Sequence, residues 1–261
     1  MYYYIHGISY WYGNHRLGNL TEHVNRLKQL FSETETKLIL VYFVICVDFS
    51  VTSDTKIDEI EEIKTKNETD TIHINILYRF NTGGTIKSLW DMYNSTKQNN
   101  ITSELISIWE DDQGFNPKSN WLNISIEKLN KGNIMVGSLW SMNPSRTKKA
   151  WGYSKKENVK RIRKSTYPKY IKVPGFDKDK VIWFDGNVYI FYYTNLHKIE
   201  QSIGVFTLAP ETERYTYIHH GIQHGELGFP TRVCNSGLTI DTIPMEEWIQ
   251  GLDVRSNHEP T

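Results

Sequence analysis

The feature that most constrains the fold of this 261-residue chain is a continuous apolar run, LILVYFVICV, at residues 38–47. The run has about half the length that a helix needs to cross a bilayer. A strand that is covered on both faces has this continuous pattern, whereas a strand with one face in water alternates between apolar and polar residues. The run therefore predicts a buried strand inside a sheet.

Strand and helix patterns alternate along the first 110 residues. Residues 2–10 and 71–78 have the aromatic and β-branched content of strands, and residues 104–109 form a further apolar strand. Between the strands, apolar residues recur at helical spacing in segments that begin at Asn19, Asp54 and Thr85. This alternation requires crossover connections. It predicts an α/β fold with a mixed, mostly parallel central sheet flanked by helices.

Composition excludes several classes of protein. The chain is 39% hydrophobic, with 30 basic and 30 acidic residues, so it can bury a full core and is not disordered as a whole. Its two cysteines are too few for a disulfide framework or a zinc site built from cysteine. The N-terminus lacks the basic segment and cleavage site of a signal peptide. We therefore expect a soluble, cytoplasmic protein without a membrane span.

The neutral net charge hides two oppositely charged segments. Residues 32–70 contain ten acidic and four basic residues, whereas residues 145–180 contain thirteen basic and three acidic residues. Three interpretations of the basic segment stay open: a solvated loop, a loop that binds an anionic ligand or acceptor, and a nucleic-acid contact. Because the pI is near neutral and no nucleic-acid-binding motif accompanies the segment, we expect no nucleic-acid partner.

Ligands of parallel sheets bind beyond the carboxyl ends of the strands. Three predicted strands end in polar residues: Asp48 follows the second, Arg79, Asn81, Gly83 and Gly84 follow the third, and Glu110, Asp111 and Asp112 follow the fourth. The paired glycines before a helix suit a phosphate, although a tight turn has the same pattern. Adjacent carboxylates repel one another, so the acidic residues are either solvated or hold a hard cation. Their position at a strand end favours the cation, with Glu110 and Asp112 on one side and Asp111 turned away.

These segments resemble the nucleotide-sugar-dependent glycosyltransferases of the GT-A fold, nearest in layout to the family 2-like and virus-encoded members. VICVDFSVTSDT resembles the segment with the nucleobase-recognising Asp, which matches Asp48. YRFNTGGTIKSLWDMY resembles the segment along the ribose and diphosphate, and ISIWEDDQGF resembles the DxD motif. The resemblance implies that Glu110 and Asp112 bind Mn²⁺ or Mg²⁺. The donor-binding residues that we assign with it are His6, Gly7, Ile8, Asp48, Arg79, Asn81, Gly83, Gly84, Asp111 and Arg232.

The resemblance continues in the second half of the chain, to about residue 235. Residues 181–191 resemble the acceptor-side strand of these enzymes, and residues 196–203 resemble the helix after it. The stretch HHGIQHGELGFPTR at residues 219–232 matches the place of the catalytic base, with Glu226 as the base. Gly225, Gly228 and Pro230 predict a shaped loop there rather than a helix. His224 is a further candidate metal ligand.

The resemblance implies one GT-A domain over residues 1–261. Its nucleotide-binding half is residues 1–112, its acceptor-binding half is residues 113–240 and its tail is residues 241–261. We expect residues 145–180 to form a mobile flap over the cleft. The implied activity is metal-dependent, inverting transfer of a sugar from a nucleoside diphosphate sugar, a UDP-sugar, to a glycan or glycoprotein hydroxyl. The alternatives are a sugar nucleotidyltransferase and a non-catalytic carbohydrate-binding protein, and the sequence leaves the oligomeric state open.

Overall fold

A computed structural model describes residues 1–13, 16–32, 37–47, 54–80, 84–138, 188–203, 229–244 and 247–250. In this part of the chain the helices are α1 (Gly18–Leu30), α2 (Asp54–Asn67), α3 (Gly84–Gln98), α4 (Trp121–Asn130), α5 (Tyr193–Ile203) and α6 (Phe229–Asn235). The strands are β1 (Tyr2–Trp11), β2 (Ile39–Val47), β3 (Ile72–Phe80), β4 (Ser103–Glu110), β5 (Gln113–Phe115), β6 (Met135–Gly137), β7 (Tyr189–Tyr192), β8 (Ile240–Thr242) and β9 (Trp248–Gln250).

Seven of these strands form a central sheet in the order β3-β2-β1-β4-β7-β6-β8. β1 pairs in parallel with β2 and with β4, β2 pairs in parallel with β3, and β6 pairs in parallel with β8. β7 is antiparallel to both β4 and β6. The strands β5 and β9 form a separate antiparallel pair. The predicted fold class, a Rossmann-like mixed sheet that is mostly parallel and flanked by helices, is confirmed.

The apolar run of β2 is buried on both faces of the sheet, as its sequence predicts. Val41, Phe43 and Ile45 belong to one core cluster, whereas Tyr42 and Val44 belong to the cluster on the opposite face. Successive side chains of a strand point to opposite faces, so a strand that lies in two cores has no polar face.

The helices divide between these two cores. Buried residues of α1, α2 and α4 pack in the same cluster as Val41, whereas those of α3, α5 and α6 pack in the cluster of Tyr42. None of the helices in the described ranges combines the length and apolar character needed to span a bilayer.

Successive strands are added to the sheet first on one side of β1 and then on the other. The connections from β1 to β2 and from β2 to β3 run toward one edge of the sheet, and the connection from β3 returns to β4 on the other side of β1. Right-handed crossovers in opposite directions place their helices on opposite faces, as α1 and α3 are observed to lie. Such a reversal opens a crevice at the carboxyl ends of the two central strands, which here are β1 and β4.

The elements predicted up to residue 110 are all present, and each begins within two residues of its predicted start. The helix predicted at residues 196–203 lies within α5, and the described part of the predicted strand at 181–191 overlaps β7. The prediction of a loop through residues 219–232 is wrong at its end, because α6 begins at Phe229. Proline has no backbone N–H, but the N–H groups in the first turn of a helix have no partner within the helix. Pro230 is therefore compatible with this position. Residues 145–180 lie outside the described ranges.

Gly7 brings α3 close to the centre of the sheet. A Cβ atom at this position would lie 2.5 Å from Met92 Sδ and 2.7 Å from Ile108 Cδ1. Both side chains are fully buried, so neither can move into solvent. The absence of a side chain at Gly7 thus permits the contact between α3 and the strands β1 and β4.

We expect Gly7→Ala to lower the free energy of unfolding by about 1–3 kcal/mol, because it overpacks this contact. Urea unfolding of the two proteins measures the difference. Met92→Ala removes the nearest obstacle, so the double variant should lose less stability than the two single losses combined. Full additivity would contradict the packing explanation.

Candidate active site

Three acidic residues lie at the carboxyl end of β4, on the edge of the crevice between β1 and β4. Glu110 is the last residue of β4, and its Oε1 accepts a hydrogen bond of 2.8 Å from the hydroxyl of Thr85 in the first turn of α3. The backbone N–H of Asp111 donates to the carbonyl of Ser9 in β1. The crevice therefore has carboxylates on its β4 side, and their backbone is tied to β1.

Asp111 points into the protein. Its side chain is buried beside α1, where Asn19 Nδ2 lies 3.4 Å from Asp111 Oδ2. The pKa of Asp111 is raised to about 7, mainly by burial and then by the charges of Asp112 and Glu110, whereas the bond from Asn19 and the charge of Arg16 oppose the rise. The edge thus concentrates more negative charge than it neutralises.

The side chain of Asp112 is more accessible than that of Asp111. Its side chain is 34% exposed, and its Oδ2 lies 3.7 Å from the guanidinium of Arg16, in the segment between β1 and α1. Its Oδ1 accepts a hydrogen bond of 2.8 Å from the side chain of Gln113. A pair at this distance and exposure contributes little to stability, so Asp112 can exchange Arg16 for another cation at small cost.

Glu110 and Asp112 have partners on different faces of the sheet. Glu110 contacts α3, whereas Asp112 contacts Arg16, two residues before α1. Within the described residues, no group of three or more His, Cys, Asp or Glu side chains is arranged to hold a metal. The assignment of these two carboxylates to one ion therefore stays a prediction, and it requires a side-chain rotation or a ligand from elsewhere.

Arg79, near the end of β3, is held against the face of the sheet that carries α3. Its Nε donates to Asp91 Oδ2 at 2.7 Å, and its Nη1 lies 3.2 Å from Cys46 Sγ and 3.4 Å from Ser88 Oγ. Asp91 also pairs with Lys87 one turn earlier in α3. The structure thus brings two cations to the start of α3, near the crevice.

Gly84, the first residue of α3, has a φ angle of 57°. This left-handed conformation costs glycine little, whereas most other residues would be strained in it. Glycine is therefore suited to this first position of α3, which precedes Thr85, the hydrogen-bond partner of Glu110.

Other predicted donor-binding residues lie in the interior. His6 and Ile8 are fully buried within β1, and Gly7 packs against α3, so the structure does not bring these three residues to the crevice edge. Arg232 in α6 is also buried, its Nη2 donates to the carbonyl of Ile203 at 2.7 Å, and burial lowers the pKa of its guanidinium to about 10. The candidate residues outside the described ranges are Asp48, Asn81, Gly83, His224 and Glu226.

Three residues of this edge, Arg16, Asn19 and Thr85, are not predicted as site residues from the sequence. Arg16 follows the carboxyl end of β1, and the rule that ligands bind beyond strand ends could have identified it. Asn19 and Thr85 were predicted only as residues that begin helices. Their contacts with Asp111 and Glu110 depend on how α1 and α3 pack, and sequence spacing carries no signal of this packing.

Comparisons with known proteins leave the family of this chain open. No family model matches the sequence, and no curated protein matches it. Among solved structures, the fold is similar to the crystal structure of mouse xyloside xylosyltransferase 1 in its apo form. The TM-score is 0.37 and the sequence identity is 11%, and the match covers 76% of this chain and 68% of that chain. A match this distant carries no argument about activity.

The buried Asp111 predicts how stability changes with pH in the presence of EDTA. Its folded-state pKa of about 7 lies above the ordinary 3.8, so the folded state binds the extra proton and stability falls as pH rises from about 4 to about 7. Asp111→Asn keeps an acceptor for Asn19 but has no charge to bury. We expect its advantage in free energy of unfolding to grow by about 2–4 kcal/mol between about pH 4 and about pH 8.

Urea unfolding across this pH range measures the effect. Asp70→Asn, which removes an exposed carboxylate, is the matched control and should show no such growth. A pH-independent difference between Asp111→Asn and the wild type would mean that Asp111 does not titrate in this range.

Proposed function

We propose that this chain is a metal-dependent glycosyltransferase that moves a sugar from a nucleoside diphosphate sugar, with UDP as the nucleotide, to a hydroxyl of a glycan or glycoconjugate. The observation that carries the proposal is the position of Glu110, Asp111 and Asp112 at the crevice between β1 and β4. Ligands of open α/β sheets bind at this reversal point. The order of the sequence segments that resemble the GT-A glycosyltransferases supports the same activity.

The chemistry of the acidic edge suits a hard divalent cation. Carboxylate oxygens are the protein ligands that Mg²⁺ and Mn²⁺ prefer, and Glu110 and Asp112 are both partly accessible. We propose that these two residues hold Mn²⁺ or Mg²⁺, with His224 as a further ligand. When bound, the ion neutralises negative charge on the departing diphosphate.

Two groups near this edge carry positive charge suited to a diphosphate. Arg16 lies beside Asp112, where its guanidinium suits a phosphate oxygen next to a cation on that carboxylate. Arg79 is held in place by Asp91 near the start of α3, where we place the ribose and diphosphate. The Arg79 contact supports donor binding on the α3 side of the crevice, and Arg16 would reach the diphosphate from the side of α1.

Transfer also requires that the acceptor hydroxyl loses its proton as it attacks the sugar. A carboxylate within hydrogen-bond reach of that hydroxyl serves as a general base. We propose Glu226 for this role, which makes the reaction inverting, because a single direct attack reverses the configuration at the anomeric carbon.

We expect calorimetry to detect binding of UDP or a UDP-sugar that depends on Mn²⁺. Asp112→Asn should weaken this binding by about tenfold or more, since even loss of an indirect support of a metal site has an effect of that size. Asp70→Asn, which removes an exposed carboxylate far from the crevice, is the matched control. Absence of binding by UDP, GDP and their sugars, with and without Mn²⁺, would overturn the proposed function.

We expect Glu226→Gln to lower the rate of sugar transfer by about 10²–10⁴-fold while the affinity for the donor stays the same, because a general base acts in the chemical step. Release of UDP from UDP-sugars in the presence of an acceptor panel gives the rate, and proton NMR of the anomeric signal gives the stereochemistry. An unchanged rate would refute Glu226 as the base. Pyrophosphate release from a nucleoside triphosphate would instead indicate a sugar nucleotidyltransferase, and glycan binding without donor turnover would indicate a non-catalytic protein.

A further inference from the structure

A buried chain of polar side chains runs from the middle of the sheet to the acidic edge. Tyr4 hydroxyl lies 2.9 Å from His6 Nδ1, and Ser107 Oγ lies 3.3 Å from the same nitrogen. His6 Nε2 lies 3.1 Å from His23 Nδ1. His23 Nε2 lies 3.3 Å from the carbonyl oxygen of Asp111. All four side chains are fully buried, so their polar groups have exchanged water for one another.

The hydrogen bonds of this chain have one consistent direction. A carbonyl oxygen only accepts, so the contact with Asp111 places the proton of His23 on Nε2. Nδ1 of neutral His23 then accepts from His6 Nε2, which leaves His6 Nδ1 as an acceptor that faces the Tyr4 and Ser107 hydroxyls. Burial lowers the pKa of His6 well below its ordinary value and that of His23 to about 4, in keeping with two neutral rings near pH 7. At the other end, Trp109 Nε1 donates to Ser107 Oγ at 3.0 Å.

The strands β1 and β4 and the helix α1 contribute the side chains of this buried polar chain. Tyr4 and His6 alternate along β1 and thus face the same side of the sheet, His6 is paired in register with Ser107 of β4, and His23 comes from α1. Apolar side chains could fill such a space without the cost of burying polar groups. The polar chain is therefore a poor choice for packing alone, and its end at Asp111 points to a role there.

We propose that His6 and His23 are positioning residues that hold the Asp111 peptide, and through it the carboxylates of residues 110–112, at the crevice. Asp111 is fixed on both sides: its N–H donates to the carbonyl of Ser9 at 3.1 Å, and its C=O accepts from His23. Two fixed points restrict rotation of the backbone between Glu110 and Asp112. The value of this restriction for metal binding rests on the proposed function, whereas the restriction itself does not.

The test compares three variants with the wild type. His23→Leu removes the hydrogen bonds of the ring with His6, with the Asp111 carbonyl and with the Gln113 backbone, and His23→Gln keeps an amide N–H for the Asp111 carbonyl and an oxygen for His6. Leu27→Ala, also fully buried and one turn further along α1, is the control for general loosening of the core. Amide hydrogen exchange measures the Asp111 N–H, and electron paramagnetic resonance measures affinity for Mn²⁺ alone.

We expect His23→Leu to speed exchange at Asp111 by about tenfold or more relative to Leu27→Ala under conditions of equal global stability, with most of the protection restored in His23→Gln. Affinity for Mn²⁺ should fall by about tenfold in His23→Leu and recover in His23→Gln. Equal exchange in His23→Leu and Leu27→Ala would overturn the positioning role. If the wild type binds no Mn²⁺ but the exchange difference is present, the metal site of the proposed function fails and the positioning role stands.

The wild type provides a second test that needs no variant to fold. Nitrogen-15 NMR of the histidine rings should show both His6 and His23 with the proton on Nε2. A proton on Nδ1 of either ring would contradict these donor and acceptor assignments, and with them the hydrogen bond by which His23 holds the Asp111 carbonyl.

Discussion

The parallel pairing of β1 with β2 on one side and β4 on the other is the constraint on which the rest of the structure depends. It places β1 where the chain reverses its direction across the sheet, and it sends α1 and α3 to opposite faces. The carboxyl ends of β1 and β4 then lie side by side, and no segment of the polypeptide runs directly from one end to the other. Gly7 permits the close approach of α3 on one face, and the hydrogen bond from Asp111 to Ser9 ties the acidic edge to β1.

At this edge, local stability and the proposed activity conflict. A buried Asp111 beside two more carboxylates costs free energy, which is visible in its raised pKa. Asn19 and Arg16 offset only part of that cost. Sequences that break a rule of stable folding in one place often do so at a functional site. The hydrogen-bonded chain through His6 and His23 holds the backbone of Asp111 in one conformation, which keeps Glu110 and Asp112 at the crevice while the side chain of Asp111 turns inward.

Prediction from the sequence succeeded where periodicity is long and failed where it is short. The elements up to residue 110 are long enough for a helical or alternating pattern to show, and β2 is apolar throughout because it lies in two cores. The three-residue strands β5 and β6 have no measurable period. The first residues of α6 are predicted as loop because Gly228 precedes the helix and Pro230 is its second residue, although proline is compatible with a first turn.

The candidate site divides in the same way. Glu110, Asp111 and Asp112 were identified from the sequence alone, because a strand that ends in three carboxylates is visible in one dimension. The sequence by itself thus determined the layered fold, its buried strand and the place of its acidic edge. Only the tertiary structure decided that Asp111 turns inward toward Asn19, that Arg16 meets Asp112, and that His6 is a link in a buried chain rather than a residue of the crevice. Each of these contacts joins residues that are far apart along the chain, so it depends on strand pairing and helix packing and leaves no trace in local spacing.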